Sequence, residues 1–594
     1  MSDSTTERIR EKIIARHGGD ESQLQVIFSP QKRILVEAPA GYGKTNTMVS
    51  KIAYILATGQ VPYPKRLLAL TFSVNAAYKM KKDVNKQIPE LFQDIGLNDD
   101  VGERIVVSNY HGFCRNVLRK YGYLFHTSLF DIDKLLSVDD GDAQRLMQAV
   151  KTLNYDDAVF LSNYNEQVKN INWSFLKDEL RSYNARVIKN LLPQQAITYN
   201  SILTLMIELF LKYPEILKFY HYYFTTILVD EYQDTNALSY WLVTLLINDD
   251  SNVILLGDSL QRIYGFIGAV PDLLTMSEKK FGLKKIQLNR NHRFSSNPQM
   301  MQLDYNIRRN AENPSKPTIA KDAIVNLDVK PDQEAESLYI AKTACTLLNE
   351  NADSKVAILV RQRGPNTDLI INTFEKNNIP YFFALFTDED PSYITFHTEC
   401  LSQFMSLIKT RERVTRSLSL SHIQRIKQHF NHGTSHLNDA LISLLEIFWG
   451  KVFTDFSFMT NEGKTRLVKD TFEYSSLKQY IEFTSSDIII STIHAAKGLE
   501  WDFVLLPDME QNRFPGWYAL CSKCDCRSNC RLLVTPKIER EFLEELSVFY
   551  VGVTRARRQV RFSASETSLD SQKNTRSCNL SCFLRLPGIT TSTK

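Results

Sequence analysis

The chain has 594 residues, 43% hydrophobic and 23% charged, with a formal net charge of +4. That length exceeds what one hydrophobic core serves, so several domains are expected, and the composition is that of an ordinary globular protein rather than a disordered chain. So small a positive charge does not by itself mark a nucleic-acid binder.

The first residues, MSDSTTERIREK, are polar and contain no apolar stretch of a secretory signal. No run approaches the roughly 18 apolar residues of a membrane span. A cytoplasmic protein with no membrane partner is expected. In that compartment thiols stay reduced, so the nine cysteines are not read as a disulfide framework.

Ile34 to Val36 reads as a buried strand, and Thr45 to about Leu56 as the helix behind it. Between them lies EAPAGYGKTN, a phosphate-loop pattern, Ala38-x4-Gly43-Lys44-Thr45. Ala38, Pro39, Ala40, Gly41, Tyr42 and Gly43 form the loop, whose backbone N–H groups face phosphate at a helix N-terminus. Lys44 is expected to reach the outer phosphates, and the Thr45 hydroxyl to hold Mg²⁺.

Residues 120–220 carry mostly helical patterns, such as DAQRLMQAVKTLN. A second buried strand, Ile227 to Val229, then ends in Asp230-Glu231. Carboxylates just past a strand's C-terminal end stand where open α/β sheets bind ligands. Asp230 is expected to position Mg²⁺ beside Thr45, and Glu231 to orient the attacking water. Further on, LNDALISLLEIFWG is a helical run. Cys521-x2-Cys524-x-Cys526-x3-Cys530 then places four thiols within ten residues. They could enclose one Zn²⁺ or, second in order, an iron–sulfur cluster. The tail PGITTSTK reads as a frayed end.

DEYQDTN, Asp230 to Asn236, resembles the second motif of UvrD/Rep-type helicases of superfamily one. The resemblance continues in order through QLQVIFSP (from Gln23), LALTFSVNAAYKM (from Leu68) and SNYHGFCRNVLR (from Ser108). LLGDSLQRIYGFIGA (from Leu255), LNRNHRFS (from Leu288) and VAILVRQRGPN (from Val356) come next, then STIHAAKGLEWDFVLLP (from Ser491) and FYVGVTRAR (from Phe549). It implies an α/β fold of two RecA-like parallel-sheet motor domains with mostly helical insertions. The first motor domain would comprise residues 1–119 and 220–285, and its insertion 120–219. The second would comprise 286–389 and 486–594, including the cysteine-rich loop 521–530, with a short insertion at 390–485.

The resemblance implies ATP hydrolysis between the two motor domains. Gln23 would read adenine, beside Lys44, Thr45, Asp230, Glu231 and Gln261. Arg293 and Arg555 would reach the phosphates and Glu500 the ribose. Arginine suits this work because its planar donors match phosphate oxygens. DNA contacts would fall on Thr71, Phe72, Asn75, Asn109, Tyr110, His111, Tyr264, Phe266, Thr492 and His494, since single strands bind along aromatic platforms and cationic grooves. Movement would be 3′ to 5′ on single-stranded or 3′-tailed DNA.

Several positions depart from the family pattern. Ile267 stands where an arginine is usual, and His292 where a tyrosine stacks on adenine. Asn46 replaces a cation, Ser259 and Leu260 replace acidic residues, and Asn109 replaces a threonine. Ile267 and the short second insertion motivate an alternative, an ATP-gated DNA-sensing subunit that controls a partner nuclease. Trimmed proteins of this kind occur in antiphage systems such as Gabija.

Overall fold

Four apolar runs set the architecture of the first part of the chain. In this computed structural model, which describes residues 3–95, 101–263, 265, 268–270, 272–387, 390–430, 436–524, 532–569 and 574–593, those runs are inner strands of one sheet. The chain divides into two units, Met1–Arg290 and Asn291–Lys594.

In the first unit the strands are β1 (Arg33–Glu37), β2 (Arg66–Thr71), β3 (Ile105–Asn109), β4 (Leu136–Val138), β5 (Ala196–Thr198), β6 (Phe224–Asp230), β7 (Asn252–Gly257) and β8 (Lys284–Gln287). Six form a sheet in the order β3-β2-β6-β7-β1-β8, with every pairing parallel. β4 and β5 form a separate parallel pair.

Parallel strands need crossover helices, so both faces of the sheet are covered and its strands read as continuous apolar runs. Side chains alternate accordingly. Leu35, Leu68, Leu70, Val229 and Leu255 belong to one core, while Ile34, Val36, Leu67, Ala69, Leu228 and Ile254 belong to the other. The helical segment between β3 and β6 shares the first of these cores. Leu129, Ile132, Leu203 and Phe210 pack with the sheet residues. The helices that precede β3 include α1 (Asp3–Arg16), α2 (Glu21–Ile27), α3 (Lys44–Ala57) and α4 (Val74–Phe92).

The strands of the second unit are β9 (Ala323–Lys330), β10 (Val356–Val360), β11 (Phe382–Ala384), β12 (Ile488–Thr492), β13 (Trp501–Leu506), β14 (Ala556–Ser565), β15 (Thr567–Leu569), β16 (Thr575–Ser577) and β17 (Ile589–Thr593). Seven make a sheet in the order β11-β12-β10-β13-β14-β9-β17, again wholly parallel. β10 lies near its centre and is buried at all five residues. Helices Pro391–Arg411, Arg416–Phe430, His436–Thr454 and Asn461–Glu473 lie between β11 and β12 in the chain.

The tail corrects the expectation of a frayed end. Ile589–Thr593 pairs with Ala323–Leu327 as an edge strand, and Ala323 N donates to Gly588 O at 2.8 Å. Ile-Thr-Thr-Ser-Thr is rich in β-branched residues, which suit a pleated edge. Among the described residues, no helix is long and apolar enough to cross a membrane.

Candidate active site

Strand order explains which loops meet in the first unit. β7 lies between β1 and β6, so the C-terminal ends of three adjacent strands deliver the phosphate loop, Gly257-Asp258 and Asp230-Glu231 to one edge. Ala38 N donates to Gly257 O at 3.0 Å, which ties the phosphate loop to the end of β7. In the loop, Gly41 has φ of +84° and Gly43 +78°. A side chain there would be strained, and glycine is not. Gly43 caps α3, so Lys44 and Thr45 occupy its first turn, where unpaired N–H groups favour an anion.

Lys44 Nζ stands 3.3 Å from Asp230 Oδ1 and pairs with the Glu231 carboxylate. Burial pulls the ammonium pKa down, but the two carboxylates outweigh it and the net shift is upward. Burial raises the pKa of Asp230, Lys44 opposes that, and Glu231 adds to it, leaving Asp230 above the ordinary range. Two carboxylates so close keep both charges only because the lysine stands between them.

Glu231 has φ of +50°, unusual for a side-chain-bearing residue. Its N–H donates to Asp230 Oδ1 at 2.9 Å, and its side chain turns toward Gln233. Gln233 Nε2 donates to Glu231 Oε2 at 2.6 Å. Asp258 N donates to Gln233 Oε1 at 3.1 Å, and Gln261 Nε2 to Asp258 Oδ2 at 2.8 Å. A continuous chain therefore runs Glu231–Gln233–Asp258–Gln261. Gly257 makes room for it, since a Cβ there would lie 2.8 Å from Gln233 Oε1. Gln233 and Asp258 were not singled out from the sequence. Their only signal is that each comes within a few residues of the end of a buried strand.

The residues present fit Mg²⁺ bound with a nucleotide. The donors are oxygens, from Asp230 at the strand end and from Thr45, half-buried in the first turn of α3. Among the described residues, no group of three or more His, Cys, Asp or Glu is set to hold a metal. Mg²⁺ does not need one, because it is usually held by one or two carboxylates together with substrate phosphates.

Gln23 is buried on α2, and its Nε2 donates to Tyr42 O in the phosphate loop at 3.0 Å. Asn46 accepts from Arg16 Nε at 2.8 Å. A guanidinium from the end of α1 is thus held at the residue where the family pattern places a cation. Sequence reading missed Arg16 because it lies thirty positions away.

The residues expected to meet DNA separate into groups. Phe72 and Asn75 are half-buried just past β2. Thr71 is wholly buried and gives its hydroxyl to Ser73 O at 2.9 Å. Tyr110 is 1% exposed, bonded to Thr235 Oγ1 at 3.0 Å. Both side chains face the core. Asn109 accepts from Gly112 N at 3.0 Å and caps the next helix. His111 is half-buried, its pKa pushed to about 4 by burial and by Arg115. Tyr264, Phe266 and Ile267 lie outside the described residues.

In the second unit, Thr492 is buried and its Oγ1 accepts from Ala495 N at 3.2 Å. His494 is half-buried, with a pKa lowered to about 4 by burial and Arg361. Arg293 donates to Thr554 O and pairs with Glu500, which also takes Arg557 Nε at 3.0 Å. Arg555 is 3% exposed. Its guanidinium donates to Val551 O at 3.0 Å, Leu499 O at 3.1 Å and Thr554 Oγ1 at 3.2 Å. Arg293, Glu500 and Arg555 therefore converge where the helix Glu539–Thr554 ends, and Arg557, just beyond, completes the group. His292 is exposed.

Of the four clustered cysteines, Cys526 and Cys530 lie outside the described residues. Cys521 and Cys524 line a void of ≈ 10 Å³ together with Cys582, which comes from the far end of the chain. Cys521 Sγ donates to Pro515 O at 3.4 Å.

A family model described as the UvrD/REP helicase N-terminal domain matches residues 20–282. A second, the UvrD-like helicase C-terminal domain, matches residues 416–567. The chain is 25% identical to a protein named DNA helicase II from Rickettsia typhi, over 93% of this chain and 92% of that one. It is 25% identical to ATP-dependent DNA helicase PcrA of Staphylococcus epidermidis, covering 90% of this chain and 82% of the relative. For PcrA of Staphylococcus aureus the identity is 24%, with 90% and 81% covered. With both family models matched in order over most of its length, and a RecA-like parallel sheet in each unit, the chain belongs to the UvrD/Rep-type helicases of superfamily 1.

Proposed function

We propose that this ATP-dependent DNA helicase moves 3′ to 5′ along single-stranded DNA in the cytoplasm, opening 3′-tailed duplexes as it hydrolyses ATP. The direction is what the family resemblance implies, and the observation that supports coupling of ATP to DNA is the chain Glu231–Gln233–Asp258–Gln261. It joins the carboxylates beside Lys44 to the segment that leads into Tyr264 and Phe266, the proposed base platforms. A change at the nucleotide would reach the DNA side through side chains already in hydrogen-bond contact.

In the proposed reaction a water attacks the γ-phosphorus of ATP, and the bond to the β-phosphate oxygen breaks to leave ADP and phosphate. Glu231 orients that water. Lys44 lies against the outer phosphate oxygens, while Arg293 and Arg555 stabilise the charge that develops on them. Thr45 and Asp230 would hold Mg²⁺, which when bound neutralises phosphate charge. Such catalysis is mostly positioning and charge stabilisation. Phe72, Asn75 and His111 would then meet the strand in the first unit, Thr492 and His494 in the second. The ranges 1–119 with 220–285 and 286–389 with 486–594 are proposed as the two motor domains, with 120–219 and 390–485 as insertions.

The test uses duplexes of one sequence with a single-stranded tail at either end. With ATP, the 3′-tailed substrate is expected to open and the 5′-tailed one to stay closed. The reverse polarity would sink the direction. ATP turnover without opening of either substrate, at low salt where phosphate contacts are strongest, would favour the second reading, a sensor that governs a partner nuclease in antiphage defence. The short second insertion and Ile267, which stands where the family places an arginine, motivate that reading.

Zinc on Cys521, Cys524, Cys526 and Cys530 is proposed from their spacing alone. One equivalent of zinc per purified chain is the expected content; a metal-free chain refutes the site.

A further inference from the structure

The last turn of α1 leads into a left-handed Gly18-Gly19 turn, with φ of +54° and +74°, and then into Asp20, which caps α2. His17, between helix and turn, is 5% exposed and bonds to two helices beside the phosphate loop. Its Nδ1 bonds to Gln23 Oε1 on α2. Its Nε2 lies 2.8 Å from Ser50 Oγ on α3. Through Gln23, whose Nε2 donates to Tyr42 O, it also meets the phosphate loop.

This network admits one arrangement of the amide. Tyr42 O can only accept, so the NH₂ of Gln23 must face it. The Gln23 oxygen then faces His17, whose Nδ1 must carry the proton. A flipped amide would set carbonyl against carbonyl at Tyr42, and His17 could meet it only by moving its proton from Nδ1 to Nε2. The Tyr42 end would lose a buried hydrogen bond, and His17 and Ser50 would have to exchange donor and acceptor roles. Ser50 holds the other ring nitrogen and so fixes the plane of the imidazole.

The order of donor and acceptor along a glutamine amide decides which purine it suits. Adenine offers an acceptor at N7 and a donor at its amino group, a pair that one amide meets in only one orientation; guanine offers two acceptors along the same edge. We infer that His17 is a positioning residue for base selection, holding the Gln23 amide in the single orientation that matches adenine. The inference rests on Gln23 being the residue that contacts the base. His17 itself touches no nucleotide atom.

Two substitutions divide the ring's functions. Asparagine puts an amide N–H near the Nδ1 position, so His17→Asn keeps the donor to Gln23. Glutamine reaches toward the Nε2 position, so His17→Gln keeps Ser50 and loses that donor. The measurement is equilibrium displacement of a fluorescent ATP analogue from the full chain by ATP and by GTP. Its readout is the ratio of the two affinities, with melting temperature followed alongside.

His17→Gln is expected to reduce the ATP-over-GTP ratio by about tenfold, the scale of one lost polar discrimination. His17→Asn is expected to hold the ratio near the wild-type value. An unchanged ratio in His17→Gln overturns the inference. So does an equal loss in both variants, which would make His17 merely structural. Gln23→Ala separates the underlying reading: if its ratio matches wild type, Gln23 does not read the base, and the inference falls with that premise.

Discussion

Lys44→Ala is expected to remove ATP hydrolysis, lowering kcat by at least about 10²-fold, the cost of deleting one preorganised group at a developing charge. Lys44 stands in the first turn of α3, its ammonium against Asp230 and Glu231. No neighbour among these can take its place, because Thr45 is neutral and Asp230 and Glu231 are anionic. Phosphate release, measured with and without single-stranded DNA, should stay at background in the variant. Turnover close to wild type would show that the phosphates bind elsewhere.

The same substitution carries a second, separable effect. Without Lys44, two adjacent carboxylates lose their shared cation. Breaking a buried pair costs about 3–5 kcal/mol, an upper bound here because the Glu231 side chain is 27% exposed. The Asp230 pKa, already raised by burial, moves further up. An acid whose pKa is raised on folding loses stability as pH climbs from its unfolded value, about 3.9, through the folded one. The melting deficit of Lys44→Ala should therefore be larger at pH 7 than at pH 5. A deficit independent of pH would place the charges elsewhere.

Arg293→Ala is expected to lower kcat by ~10³–10⁵, the range for an arginine that stabilises a transferring phosphoryl group. Lysine at this position should restore little, since an ammonium is a point charge and lacks the planar fork. Folding should survive. Glu500 keeps Arg557 at 3.0 Å, and Phe294 next door is held in the core through its own N–H on Asn291 Oδ1 at 3.0 Å. The informative comparison is kcat against the ATP dissociation constant. A large fall in kcat with unchanged melting supports a role at the phosphate. Wild-type kcat in Arg293→Ala would remove it from the chemistry.

The phosphate-loop region was legible because its chemistry is local. A strand, two glycines at φ near +80° and a helix N-terminus occupy a short consecutive stretch, and each has its own signature. Two inner strands of the first sheet, Ile34–Val36 and Ile227–Val229, were legible as unbroken apolar runs, while the two parallel sheets were implied by the family resemblance. Side-chain direction was harder. Thr71 ends β2 and Tyr110 opens the helix Tyr110–Tyr121, and both side chains are buried in the core although the family resemblance groups them with residues expected to meet DNA.

Contacts between distant segments were legible only where the family resemblance supplied them, as for Lys44 with Asp230 and Glu231. Gln233 and Asp258 meet only because β6 and β7 are neighbours. Arg16 meets Asn46, and His17 meets Ser50, only because α1 packs near α3. The tail was misread because a polar, threonine-rich end gives the same composition whether it frays or pairs as an edge strand. The available partner strand decides between these outcomes, and β9 lies far earlier in the chain.

The most direct test is steady-state phosphate release by the intact chain, with ATP and Mg²⁺ at low salt, in the absence and presence of a single-stranded oligonucleotide. The chain Glu231–Gln233–Asp258–Gln261 predicts a rise of at least about tenfold when the strand is added, consistent with a catalytic step gated by a conformational change. A rate that is substantial without DNA and unmoved by it would contradict this coupling, because hydrolysis would then proceed with no link to the strand.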